Sequence, residues 1–283
     1  MIHGLRTLTI FAAALLLGGP CGCASTRSPE GPPPDVRDEE RVQLIEQDGF
    51  RFWVEQGVTS GAELERLAYE LSRARKQLVA RIGRARAPGD FRPPNRPRGY
   101  HPDRPPPPLP DSIDVVVLEG GKGTRCHADE EGLTLLARHL WRHDGTHELV
   151  HFLAGSSWRP IDEGLAVYLT EDLWGPERGF PTKVRARVFQ DLGLDQRLEP
   201  PQMRAGMSRV HYDTAGAFVR WLIEAYGWER FWQLYHGPER AYHEAYGVGE
   251  VELWQRFWRY IGNLDLSGDT AYPAYKALVR TRR

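Results

Sequence analysis

His147-Glu148-Leu149-Val150-His151, followed after eleven intervening residues by Glu163-Gly164-Leu165-Ala166 with Asp162 just before it, is the stretch from which the fold can be read. On a helix, His147 and His151 stand one turn apart on the same face, so both imidazoles can reach one metal ion. Glu148 is rotated about 100° from His147, which lets it address a water on that ion without being a ligand. Glu163 could supply a third, oxygen ligand and leave a fourth position open. That is the count of a catalytic zinc site and not of a closed structural one.

The chain has ten histidines, and with that composition H-E-x-x-H arises by chance in roughly a few per cent of sequences. The flanks therefore carry weight. Asp144 and Gly145 can cap a helix start, Phe152 and Leu153 continue its apolar side, and Gly155 is placed to end it. Ser156-Ser157-Trp158-Arg159-Pro160 reads as a turn whose proline suits the first turn of a second helix, about residues 160–173, with Glu163 near its start. The competing reading is an amphipathic helix with two solvated histidines.

His147-Glu148-Leu149-Val150-His151, a short turn and Asp162-Glu163-Gly164-Leu165-Ala166-Val167-Tyr168-Leu169 resemble the active-site segment of gluzincin metallopeptidases, the thermolysin-like clan. The closest likeness is to the bacterial peptidase MA-like group, whose pattern is H-E-x-x-H, eleven residues, then E-G-L-A. The resemblance is specific over about residues 146–169. It continues more weakly through His211-Tyr212-Asp213-Thr214-Ala215-Gly216-Ala217-Phe218-Val219-Arg220-Trp221-Leu222 and Tyr226-Gly227, where members often show a tyrosine, small residues, F-V-x-x-L and a Y-G helix end. The resemblance implies a single zinc ion held by His147, His151 and Glu163, with Glu148 as general base. It also implies an oxyanion donor on the later helix, for which Tyr212 and His211 are the candidates, Tyr212 the preferred one. No organic cofactor is called for.

Two positions depart from the family pattern. Thermolysin-like enzymes often carry an aspartate one turn after the ligand glutamate to orient a zinc histidine; here that position is Val167. Asp144, Glu171 or backbone carbonyls are the alternatives for that task. The family's tryptophan just before the ligand glutamate is also shifted, with Ile161 in its place and Trp158 upstream.

The resemblance implies an α+β, zincin-like fold: a small N-terminal mixed sheet with helices, a mainly α-helical C-terminal lobe, and an active-site cleft between them. Periodicity fits this. Gly49-Phe50-Arg51-Phe52-Trp53-Val54 alternates as a strand. From Ser60, a candidate cap, to Ile82 the apolar residues Leu64, Leu67, Ala68, Leu71, Leu78 and Ile82 keep helical spacing. Ile113–Leu118 is the clearest strand, and Gly132–His139 predicts a second one just ahead of the motif. By analogy with zincins that second strand would edge the cleft and pair with an extended peptide. Helices are expected near 182–192, 212–226, 228–235, 238–246 and 251–261, separated by Gly- or Pro-containing turns. Trp221, Trp228, Phe231, Trp232, Trp254, Phe257 and Trp258 fall at helical spacings and read as core packing.

The remaining sequence bounds the setting. Arg6, an apolar run from about Leu8 to Leu17 and Gly18-Gly19-Pro20-Cys21-Gly22-Cys23-Ala24-Ser25 read as a secretory signal, residues 1–23, too short for a membrane span of ~20 residues. A lipid anchor at Cys23 or Cys21 and ordinary cleavage after Ala24 or Ser25 are the alternatives. Both imply an exported protein, held in a bacterial cell envelope or secreted. Residues 24–45, rich in Pro and charge, read as a linker, and 46–283 as the catalytic domain, its α/β part reaching about 155 and its helical part running over 156–283. The mature chain retains only Cys126, which rules out an intrachain disulfide; Cys126-His127 reads as a loop or a buried thiol. The Pro- and Arg-rich stretch 92–110 cannot be a helix or a central strand. Its arginines read as a solvated surface, with contact to anionic envelope polymers the alternative. A net charge of −1 and a pI of about 6.8 give no reason to expect nucleic acid as a partner. The expected partner is a peptide or protein substrate. Two other classes are open: a non-catalytic envelope protein on a zincin scaffold binding peptide or cell-wall polymer, and a hydrolase acting on a different amide such as a cell-wall crosslink.

Overall fold

The computed structural model describes residues 42–84, 110–120, 125–129, 132–155, 157–195, 198, 203, 207–237 and 241–281. The signal segment with Cys21 and Cys23, the linker up to residue 41 and nearly all of the Pro- and Arg-rich stretch lie outside them. None of the described helices is long and apolar enough to cross a membrane.

Asp48-Gly49 is the first decisive turn. Both residues have positive φ, 52° and 79°, as a two-residue hairpin turn of the primed kind requires. It joins β1 (Val42–Gln47) to β2 (Phe50–Glu55), which pair antiparallel with Gln47 opposite Phe50. The first strand was not foreseen, and it begins inside the stretch read as linker. Its sequence alternates only weakly, whereas the D-G dipeptide was the signal for it.

Helix α1 (Gly61–Arg84) follows, opened by a reciprocal cap in which Ser60 N–H donates to Glu63 Oε2 at 2.9 Å and Glu63 N–H donates to Ser60 Oγ at 3.3 Å. β3 (Ile113–Leu118) then lies parallel to β2, and β5 (Gly132–Leu136) lies parallel to β3. A two-residue strand, β4 (His127–Ala128), pairs antiparallel to β5 and completes a mixed sheet of order β1-β2-β3-β5-β4. In-register Phe52, Val115 and Leu133, and likewise Val54, Val117 and Leu135, are buried. Along α1, Leu64, Leu67, Ala68, Leu71, Leu78 and Ile82 are buried with them.

Two expectations for the strand ahead of the motif are corrected. It stops at Leu136, and Ala137–Arg142 forms a 3-10 turn. It is also not open to an extended peptide along its whole length, because β4 pairs with it at Thr134 and Leu133. Residues are buried on both of its faces, as suits an interior strand. Cys126, just before β4, is the buried thiol, with Leu136 N–H directed at its sulfur at 3.4 Å.

The rest of the described chain is helical: α2 (Asp144–Ala154), α3 (Arg159–Trp174), α4 (Thr182–Asp191), α5 (Arg209–Tyr226), α6 (Trp228–His236), α7 (Tyr242–Tyr246), α8 (Glu250–Gly262) and α9 (Ala271–Arg280). The architecture is α+β. The aromatic stripe is core: Phe218, Trp254 and Phe257 stack or meet edge-on, with Phe218 and Trp254 ring centres 4.0 Å apart, and Phe231, Trp232 and Tyr235 form a second cluster. Helix α9 was not foreseen; none of its residues is fully buried, so its apolar side gave only a shallow signal. Tyr275 packs on Phe180 and Phe189 to hold it against α4.

Candidate metal centre

The motif helix is held by tight packing at its start. Gly145 leaves room for the side chains of Leu67, Leu71 and Leu135, which a Cβ there would meet at 3.2–3.3 Å. Asp144 does not cap the helix. His143 precedes it in the left-handed region, without a side-chain cap, and the Asp144 carboxylate lies 2.9 Å from His139 Nδ1. Gly155, at φ 76°, ends the helix with its N–H on His151 O. After the turn, α3 begins with Pro160 in its first turn, and at its far end Trp174 Nε1 donates to Thr146 Oγ1 at 2.9 Å.

Glu163 is brought to the histidines by a close helix crossing. A Cβ on Gly164 would fall 2.5 Å from the Ala215 carbonyl oxygen, and one on Gly216 would fall 2.5 Å from Val167 Cγ1. Glycine at both positions lets α3 and α5 approach at backbone distance. The same crossing carries Tyr212 to the site: its hydroxyl donates to Glu163 Oε1 at 3.4 Å, and its ring lies 6.5 Å from that of His147.

Three ligating atoms face one another. His147 Nε2 and His151 Nε2 are 3.2 Å apart, and Glu163 Oε2 lies 3.2 Å from the first and 3.4 Å from the second. A tetrahedral ion with bonds of about 2.0–2.2 Å spaces its ligands by roughly 3.3–3.6 Å, so the triangle has the size such an ion needs. The chemistry agrees. Two imidazole nitrogens and a carboxylate oxygen converging on one spot are held together either by shared protons or by a metal cation between them. His147, His151 and Glu163 form the only candidate metal-holding group of this kind among the described residues. Glu163 and His151 are buried, while the His147 side chain keeps 17% of its exposure, so the site opens on that side. Glu148 is also buried, at 1%.

The electrostatics follow from this crowding. Burial would raise the Glu163 carboxyl, but hydrogen bonds from His147 and His151 override it and hold the group at about 2. Burial would depress His151, but Asp162 and Glu163 outweigh it and raise the imidazole well above its ordinary range.

The carboxylate that meets a histidine of this triangle is neither of the two expected ones. Glu171 is occupied elsewhere: it accepts Thr182 N–H at 2.9 Å, in place of a side-chain cap on α4, and Arg220 at 3.0 Å. Asp162 makes that contact instead, with its Oδ1 3.0 Å from His151 Nδ1. Sequence reasoning quoted Asp162 without giving it a role, because its adjacency to Glu163 does not reveal which way its side chain turns. His211 is drawn into the start of α5, where Ser208 N–H donates to its Nδ1 at 3.0 Å and Glu163-facing Tyr212 follows it. The neutral ring therefore carries its hydrogen on Nε2.

Compared with known proteins, the chain matches no family model and no curated protein. Geometry and donor chemistry alone carry the assignment of the centre.

Proposed function

We propose that this protein is an exported zinc-dependent metallopeptidase of zincin-like fold, similar to gluzincins, that hydrolyses peptide bonds. The observation that carries this reading is the triangle of His147 Nε2, His151 Nε2 and Glu163 Oε2, open on one side, with buried Glu148 on the same helix. His147, His151 and Glu163 would hold a zinc ion, which would supply Lewis acidity for activating water and polarising an amide carbonyl. Glu148 accepts the proton of the attacking water and passes a proton to the leaving amine as the carbon–nitrogen bond breaks. The Tyr212 hydroxyl, beside Glu163, can turn to donate a hydrogen bond to the oxyanion, and His211 Nε2–H is a second donor from the same helix. Asp162 keeps the His151 lone pair on Nε2, toward the ligand triangle.

The test is zinc content and peptide hydrolysis on residues 26–283. We expect about one zinc per chain by elemental mass spectrometry, the count of a single three-ligand site. Glu148→Gln should keep the zinc and lose turnover of a mixed peptide library by at least ~100-fold, in line with the loss of a general base. His151→Ala should lose both. Near-normal hydrolysis by Glu148→Gln would overturn the mechanism, and a folded chain that holds no zinc would overturn the ligand set.

A further inference from the structure

Tyr235, on α6, is remote in sequence from the metal motif, yet its hydroxyl lies 2.8 Å from Asp162 Oδ1 and 2.5 Å from the Gly155 carbonyl oxygen. It is almost fully buried. The Asp162 oxygen it reaches is the one that faces His151 Nδ1 at 3.0 Å. Gly155 is the residue whose N–H ends the motif helix on the His151 carbonyl. The phenol therefore touches both supports of His151: the carboxylate on its ring and the end of its helix. A second tie runs back, since Ser157 Oγ donates to the Tyr235 carbonyl at 2.7 Å. The hydroxyl has one hydrogen and two acceptors within reach, so it restrains Asp162 and Gly155 together.

The geometry points to Tyr235 and Asp162 as a positioning pair that fixes His151 with its hydrogen on Nδ1 and its Nε2 lone pair toward the ligand triangle, so that docking of α6 sets the affinity of the metal centre. This inference rests on the metal reading above and adds to it a residue that the motif does not contain. Outer partners of metal-bound histidines change metal affinity by about 10–100-fold when removed. A single neutral hydrogen bond is worth about 2- to 10-fold in a binding constant.

The test is a competition titration of zinc against a chromophoric chelator, together with the visible spectrum of the cobalt-substituted chain. Asp162→Leu should weaken zinc binding about 10–100-fold and alter the cobalt spectrum. Asp162→Asn, which keeps an acceptor oxygen, should recover much of the loss. Tyr235→Phe keeps the ring and the packing and should weaken zinc by about 2- to 10-fold. In the Asp162→Leu background, Tyr235→Phe should cost less than it does alone, because only its hold on Gly155 is left to lose. Wild-type zinc affinity and an unchanged cobalt spectrum in both single variants would overturn the inference, as would losses that simply add. If the wild-type chain binds no metal, the function proposed above fails separately. The pair is then read from the 15N chemical shifts of His151 in the metal-free chain at alkaline pH. Hydrogen on Nδ1 in the wild type and on Nε2 in Asp162→Leu supports it, and hydrogen on Nε2 in both overturns it.

Discussion

Glu163 is the residue on which chemistry and stability meet. In the metal-free chain its carboxyl is held at about 2, against an ordinary value of 4.5, by the two histidines that overcome its burial. A carboxylate depressed in this way adds stability that is complete above about pH 4.5 and is lost as pH falls toward 2. His151 has the opposite sign: raised by Asp162 and Glu163, it adds stability below its ordinary 6.5 that is lost as pH climbs through its raised value. Urea unfolding of the metal-free wild type and Glu163→Gln should therefore differ most between pH 4.5 and neutrality, with the difference closing toward pH 2. A gap that stays constant across this range would show that the carboxylate is not paired as described. The convergence of His147 and His151 was legible in the sequence because a helix fixes the relation of positions four apart. Asp162 was not, since neighbours in sequence share a backbone but not a side-chain direction.

At the scale of elements, the centre depends on how closely α3 and α5 cross. Gly164→Ala would drive a Cβ to 2.5 Å from a backbone oxygen of α5, a contact that no rotamer change relieves. We expect a loss of about 1–3 kcal/mol and a drop in zinc affinity, because Glu163 moves with Gly164. Unchanged stability and zinc affinity in this variant would refute the crossing as the device that places Glu163. The same helices are pinned by a buried ion network. Arg185 pairs with Asp213, the residue after Tyr212, and lies 3.7 Å from Glu171. Burial pushes the Asp213 carboxyl up despite Arg185 beside it, so removing the arginine strands a buried acid. Arg185→Leu should cost about 3–5 kcal/mol in chemical denaturation, and a loss below about 1 kcal/mol would mean the network relaxes or takes up water. The small residues of the second helix were visible in the sequence. Their partner across the crossing was not, because steric fit between two helices has no local signature.

For the whole molecule, the proposed ligands come from α2 and α3, while Tyr212 on α5 and Tyr235 on α6 brace Glu163 and Asp162, so a bound metal should stabilise the folded chain as one body. A zinc concentration about 100 times the dissociation constant adds about 2.7 kcal/mol, which corresponds to a rise in the unfolding midpoint of roughly 5–10 °C for a chain of this size. A midpoint that ignores zinc concentration would show that the folded state has no such site. By itself the sequence determined the motif helix, the three side chains of the candidate metal centre, the α+β class, most helices and the packing of the aromatic stripe on the core. These follow from periodicities of one chain segment and from residue chemistry, both of which are local. Tertiary structure alone decided that β4 and not β5 forms the sheet edge, that α3 and α5 meet at Gly164 and Gly216, and that Tyr235 reaches Asp162 across 73 residues. Those features arise when separate segments compete for one packed interior, where the fit of surfaces rather than the order of residues sets which side chains touch.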